Sequence, residues 1–399
     1  MQLTLAIEFH FTRDPSGAVY GSGPMNRAFW DRYLDVFDHV TVLARVREVD
    51  NPGDPAHRAD GDGVSFIDLP DFTGPAALAR AAPQVWSRIG LAVAEAEALL
   101  FRVPGTVGTI AAIHARLRRK PYAVEVVGDP WDALAPGTVR SLSRPLVRGP
   151  MALAQRRMAH RAIAAAYVTK GALQRRYPPG RKAYSTHYSS IELPEAQIVG
   201  AQPSRIARIA ARSKGGDGPW RLGFIGSFNV MYKAPDVHLR AVAELRRRGL
   251  DVRLELLGDG AHQGEMKALA DQLGLVEHTV FHGRLAGGAP VMAFLDRMDV
   301  FLIASRTEGL PRALIEAMAR GCPAIGSQIG GIPELLESPW LVPADDVTAL
   351  ADAVERALVS PETMVAMAQR NGAEAAGYGA SILRHRRRRF YTEVVERTI

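Results

Sequence analysis

Two glutamates eight residues apart, Glu308 and Glu316, stand in the densest run of position-specific residues in the chain, 305–335. Pro311 lies between them, where a helix begins, because the first helical position has no N–H to satisfy. Gly321 lies where that helix ends, as a left-handed cap. A Gly-Gly-x-Pro-Glu turn follows at 330–334. Upstream, residues 300–304 form a short apolar β-prone run of the kind that makes a buried parallel strand. Strand, turn and helix in that order put helix-start N–H groups at the carboxyl edge of a sheet, which is an anion site. Glu308 falls in the turn, and Glu316 about five residues, roughly 7.5 Å, into the helix. Such a pair can grip hydroxyls at two points of an extended ligand whose phosphates lie between them. A sugar nucleotide has that layout. Two solvated glutamates on a surface helix are the competing reading.

Other residues fall at similar edges. Residues 222–227 read as a strand running into a Gly226-Ser227 turn, with Asn229 and Lys233 just beyond. Strand 122–127 runs straight into Gly128-Asp129-Pro130-Trp131-Asp132, placing Asp129 and Asp132 where open α/β sheets bind ligands. An Asx turn with Pro130 is the structural alternative. The connection 12–24 is long and contains Gly17, Gly21 and Gly23; with His10 before it, it reads as a functional or disordered loop. Asp60-Gly61-Asp62-Gly63 offers a D-x-D pattern but reads as a turn before a strand at 64–69. Gly258-x-Gly260 with Gly264 has the wrong spacing for a dinucleotide fingerprint. The single cysteine, Cys322, forbids an intrachain disulfide and any cysteine-based zinc site.

The elements that must carry these residues alternate. Strands are expected at 3–9, 40–46, 64–69, 98–103, 122–127 and 166–169, with helices at 26–37, 74–82, 84–98, 110–119 and 138–166. Residues 198–219 change composition, end in Gly-Gly-Asp-Gly-Pro and read as a connection. A second set follows, with strands at 222–227, 252–257, 278–283 and 300–304. Its helices are expected at 235–249, 311–321, 348–359 and 361–372, with a last one at 381–399. Alternation throughout predicts α/β, doubly wound parallel sheets. The 399 residues suit two domains, 1–197 and 220–375.

A hydrophobic share of 47% and a charged share of 23% are those of a globular protein. The N-terminus lacks a basic n-region and reads as a strand rather than a signal peptide. No window reaches eighteen apolar residues, so a cytoplasmic protein is expected. Net charge +7 favours acidic partners. The basic clusters at 116–120, 156–157, 246–248 and 386–389 are not interleaved with aromatics, which argues against nucleic acid.

The pattern S-x-x-E-G-L-P-x-x-x-x-E-A-M-A-x-G-x-P followed by G-G-x-x-E resembles the C-terminal motif of retaining glycosyltransferases of family 4 (group 1). Upstream, the chain is similar to a bacterial branch associated with extracellular polysaccharides; natural-product glycosyltransferases are also similar. The resemblance implies the GT-B architecture: two Rossmann-like domains facing a cleft, with the last helix crossing back to the first. It also implies that Glu316 binds ribose hydroxyls, Glu308 contacts donor-sugar hydroxyls, and Gly309 and Leu310 offer backbone to sugar and phosphates. Lys233 matches the family's phosphate lysine, although Ala234 replaces the glycine that usually follows. The family's phosphate arginine is missing, since Gly226 is followed by Ser227. Ser227, Asn229, Arg284, Arg306 and Arg312 are the candidates to replace it. Asp129 falls near the place of a cleft histidine and, with Gly21, Gly23, His10, Trp131 and Asp132, marks the acceptor side.

The implied reaction is hexosyl transfer with retention from a nucleotide-diphosphate sugar, used as co-substrate, with no metal and no other cofactor required. The acceptor is a sugar, polyol, thiol or lipid-linked glycan. The last of these would bring peripheral contact with the inner membrane face through the basic helix at 110–119. A GT-B sugar-nucleotide epimerase and a non-catalytic sugar-nucleotide-binding protein are the alternatives.

Overall fold

The computed structural model describes residues 1–23, 25–51, 53–134, 144–213 and 218–399. Two parallel sheets flank a cleft. The first runs in the spatial order Val64–Leu69, His39–Glu48, Gln2–Arg13, Ala98–Val103, Ala123–Val126, Ala164–Tyr167, Tyr184–His187. Val19–Tyr20 pairs antiparallel with the end of Gln2–Arg13. The second runs Thr279–Gly283, Val252–Leu257, Trp220–Ile225, Val300–Ile303, Ala324–Ser327, Leu341–Val342. Strands buried on both faces explain the unbroken apolar runs: every residue of Val300–Ile303 and of Ala164–Tyr167 is buried.

Strand order reverses once in each sheet, and in the second the reversal lies between Trp220–Ile225 and Val300–Ile303, paired at Val300 and Leu222. Ligands of open α/β sheets bind outside the carboxyl ends of strands at such a switch point. The turns leaving these two strands carry Lys233 and Glu308. Topology therefore brings together two segments 75 residues apart.

The C-terminal helix Ala380–Thr398 returns to the first sheet. Its Tyr391 hydroxyl donates to Glu125 at 2.8 Å. Tyr33 and Tyr188 donate to the same carboxylate at 3.0 and 2.7 Å. Arg102 pairs with it at 3.2 Å. Glu125 is only 3% exposed, so four partners from distant segments satisfy one buried charge.

Several expectations are corrected. The two helices expected at 74–82 and 84–98 are one, Pro75–Glu95, because Pro83 faces solvent and leaves no buried carbonyl unpaired. The helix expected at 26–37 is a 3-10 turn, Arg27–Trp30, followed by a single α-turn, Asp31–Leu34. Residues 12–23 of the connection are ordered, and residue 24 lies outside the described residues. The first strand continues to Arg13, and the Asp14 carboxylate fixes the turn by accepting from Ser16 and Ala18 backbone N–H groups at 3.0 and 3.2 Å. The connection at 198–219 contains a helix, Pro203–Ser213. Its Arg205 is buried and donates to the carbonyls of Leu295 and Arg320 at 2.9 and 3.1 Å, docking that helix on the second sheet's layer. Strands Tyr184–His187, Ala324–Ser327 and Leu341–Val342 are short and were not anticipated. The helix expected from 138 begins among the described residues at Arg144 and runs to Arg161; 138–143 lie outside the described residues.

Candidate active site

The helix after Val300–Ile303 spans Arg312–Ala319, with Pro311 as its N-cap, one position earlier in the helix frame than the sequence implied. Gly321 closes it at φ +60°, a left-handed conformation that glycine adopts without strain. Glu308 lies in the turn before the helix. Its carboxylate accepts from Lys233 Nζ and from Ser305 Oγ, the latter at 2.9 Å. Ser327 Oγ in turn donates to the Ser305 carbonyl at 2.6 Å, tying the turn to the next strand. The two charged side chains are 8% and 13% exposed, so the pair is largely withdrawn from water. Each neutralises the other.

The lysine turn is built from backbone contacts. Lys233 ends a 3-10 turn, and Ala234 takes the left-handed conformation at φ +52°, which accounts for a glycine's suitability there. His238, fully buried, donates from Nδ1 to the Ala234 carbonyl at 2.7 Å and accepts at Nε2 from the Ala304 N–H at 3.2 Å. One neutral imidazole thereby bridges the lysine turn and the strand leading to Glu308; burial pushes its pKa down to about 4. Gly258 and Gly260 face this turn at φ +145° and +148°: a Cβ on Gly258 would stand 1.9 Å from the Gly226 carbonyl oxygen. Those glycines, unexplained as a dinucleotide fingerprint, are there because two main chains touch.

Glu316 projects from the helix in a half-buried position. Burial pushes its carboxyl pKa up, partly opposed by Arg312. Of the proposed substitutes for a phosphate arginine, Arg306 is committed to Asp236 and Asp345, both at 2.7 Å. Arg284 and Arg312 are exposed. Ser227 Oγ accepts from Asn229 N–H at 3.2 Å, and Asn229 Oδ1 accepts from Ala261 N–H at 3.0 Å, so both shape the turn itself. Leu310 is buried.

On the first domain, Asp129 is buried and caps the one-turn helix Pro130–Ala133 by accepting from Trp131 N–H at 2.8 Å. The structural alternative, an Asx-type turn with Pro130, is present. Its carboxylate also accepts from Tyr177 Oη and pairs with Arg176, which holds Asp132 at 2.9 Å. Burial and the neighbouring Asp129 push the Asp132 pKa up. Trp131 is exposed, with the Arg148 guanidinium 3.9 Å from its ring centroid. His10 lies in the first strand and meets Asp71 at 2.5 Å. Gly21 donates its N–H to the His57 carbonyl at 2.9 Å, and Gly23 follows at φ +60° beside it.

The two halves meet at glycines. A Cβ on Gly309 would lie 2.8 Å from the Val127 carbonyl oxygen of the first domain. Gly331 donates its N–H to the Gly309 carbonyl at 2.7 Å. Gly309→Ala is therefore expected to push the turn that carries Glu308 away from Val127 and to lower any turnover at this candidate site about tenfold or more, since small misplacements of reacting groups are costly. Wild-type kcat in that variant would contradict the contact's importance.

Residues 219–360 match the family described as glycosyl transferases group 1. Over 361 residues the chain is 27% identical to protein CapJ of Staphylococcus aureus, covering 90% of this chain and 87% of CapJ. It is 38% identical over 132 residues to the amylovoran biosynthesis glycosyltransferase AmsK of Erwinia amylovora, a match spanning 30% of this chain and 31% of that protein. Among solved structures, sucrose-phosphate synthase from Thermosynechococcus elongatus superposes with TM-score 0.71 at 16% identity over 100% of both chains. Anabaena HepE in complex with UDP-glucose superposes with TM-score 0.64 at 16% identity, again over 100% of both. These likenesses establish the fold.

Proposed function

We propose that the chain is a GT-B-fold glycosyltransferase, related to the group 1 and family 4 enzymes that act on nucleotide sugars, and that it transfers a hexosyl group with retention of configuration. The observation that carries the reading is the Lys233–Glu308 pair at the switch point of the second sheet, with Glu316 the fifth residue of the helix that follows and Val127 of the first domain against Gly309. In this reading Glu316 holds the ribose hydroxyls and Glu308 the donor-sugar hydroxyls. Lys233 and the N–H groups near 309–312 stabilise the diphosphate. The bond between the sugar's anomeric carbon and the β-phosphate oxygen breaks. The acceptor oxygen bonds to the same face, and its proton passes to the departing phosphate. Fixed cations and N–H dipoles aimed at the leaving charge supply most of the rate enhancement. The sequence needs no protein nucleophile and no metal.

A screen of UDP-, GDP-, ADP- and TDP-sugars by thermal shift and hydrolysis tests this. One nucleotide class should raise Tm and be turned over, and Glu308→Ala should abolish turnover. Unchanged turnover in that variant would remove Glu308 from the site.

A lipid-linked acceptor is supported by an exposed face on the first domain. Leu91, Ile113 and Leu117 are exposed there beside Arg116, Arg118 and Arg119. Exposed apolar side chains on helices that also carry exposed arginines suit an anionic bilayer surface. Among the described residues no helix is long and apolar enough to cross a membrane. Co-sedimentation with anionic vesicles at low salt separates the acceptor classes: failure to bind favours a small water-soluble acceptor.

A further inference from the structure

Glu334 ends the Gly-Gly-x-Pro-Glu turn, and no step above uses it. It belongs to the donor-side domain, but its carboxylate reaches into the other one. Oε1 accepts from the backbone N–H groups of Gly171 and Ala172 at 2.8 and 2.6 Å, and Oε2 from that of Lys170. These are the unpaired N–H groups that open the short helix Ala172–Arg176 of the first domain. A carboxylate accepting several main-chain N–H groups makes charge-assisted bonds, stronger than neutral ones. Beside it, Lys170 Nζ reaches Glu374 of the second unit.

Both ends of this contact lead to the candidate site. Upstream of Glu334, Gly331 is bonded to Gly309, and a Cβ on Gly330 would overlap the Glu308 carbonyl. The turn carrying Glu334 is thus pressed on the donor-side glutamate. At the far end of the short helix, Arg176 pairs with Asp129 and Asp132, and the next residue, Tyr177, donates to Asp129. A continuous series of packed and bonded groups runs from Glu308, through 330–334 and 170–177, to the acceptor-side carboxylates.

We propose that Glu334 is a positioning residue that transmits occupancy of the donor site to the acceptor edge, holding residues 129–132 and 170–177 in register with the bound donor. This rests on the glycosyltransferase reading above. The carboxylate touches neither substrate; it acts through the segment it holds. A donor that settles against Glu308 and Gly309 also settles the 330–334 turn, and Glu334 carries that ordering across the cleft.

Hydrogen exchange on the full chain, with and without saturating UDP, GDP, ADP or TDP, tests the proposal. In the wild type, the nucleotide that binds should slow exchange of peptides covering 129–134 and 168–177 at least fivefold. In Glu334→Ala that slowing should vanish while the nucleotide Kd stays within twofold of wild type. Glu334→Gln, whose amide oxygen still accepts from Gly171 and Ala172, should recover most of it. A merely structural clamp would raise exchange in the free variant but leave the nucleotide-dependent change in place. Slowing that persists in Glu334→Ala overturns the proposal alone. Binding of none of the four nucleotides by the wild type overturns the reading beneath it, and the proposal with it.

Discussion

Replacing Lys233 by methionine is expected to lower turnover by about 10²–10³-fold, the loss typical of removing one group that stabilises leaving charge in a transition state. The same change should also destabilise the protein. Glu308 is 8% exposed, and without the lysine its remaining side-chain partner among the described residues is the Ser305 hydroxyl. Breaking a buried pair by removing one partner costs about 3–5 kcal/mol, whereas removing both charges is often neutral. The double variant Lys233→Met with Glu308→Gln should therefore regain stability in chemical denaturation while remaining inactive. Recovery of activity along with stability would mean that the pair serves folding only.

The second large effect lies in the first domain. Glu125→Ala should destabilise the chain by about 3–5 kcal/mol, because it leaves the Arg102 guanidinium as an uncompensated buried charge. Three tyrosine hydroxyls would lose their acceptor in the same step. Tyr391 belongs to the C-terminal helix, so the change should also loosen that helix's hold on the first sheet. A guanidinium titration with proteolysis of residues 380–398 reads both consequences. A shift under 1 kcal/mol would show that the network is dispensable.

The strand–turn–helix that carries Glu308 and Glu316 was legible in the sequence because its signals are local. Pro311, Gly321 and the apolar run at 300–304 lie within a single strand–turn–helix, and each marks a conformation that its own residue type favours. The exact helix start was displaced by one residue, since a proline can serve as the cap as well as the first helical position. The partnerships across long stretches of chain were not legible. His238 joins Ala234 to Ala304, Arg176 joins the Asp129 turn to its own helix 47 residues on, and Glu334 reaches back 164 residues to Lys170. No periodicity marks such pairs. A glycine can mark them indirectly: Gly258 and Gly309 are both places where a Cβ would strike another segment's carbonyl. The connection at 12–24 was expected to be a functional or disordered loop, and disorder does not hold at its start, where Asp14 builds a fixed turn.

Glu316 offers the most direct test of the account. Its carboxyl pKa is raised by burial, so the ionised form is less stable in the folded protein than in water. A raised folded-state pKa contributes stability only at acidic pH, and that contribution is lost as pH rises. At neutral pH the buried charge is thus a cost to the free protein, one that a ribose-binding role would explain. The measurement is nucleotide affinity and Tm for the wild type and Glu316→Gln at pH 7.5. The account predicts a Tm equal to or above wild type, with affinity for the cognate nucleoside diphosphate lowered tenfold or more. Unchanged affinity, or a marked fall in Tm, would contradict it and make Glu316 a structural residue.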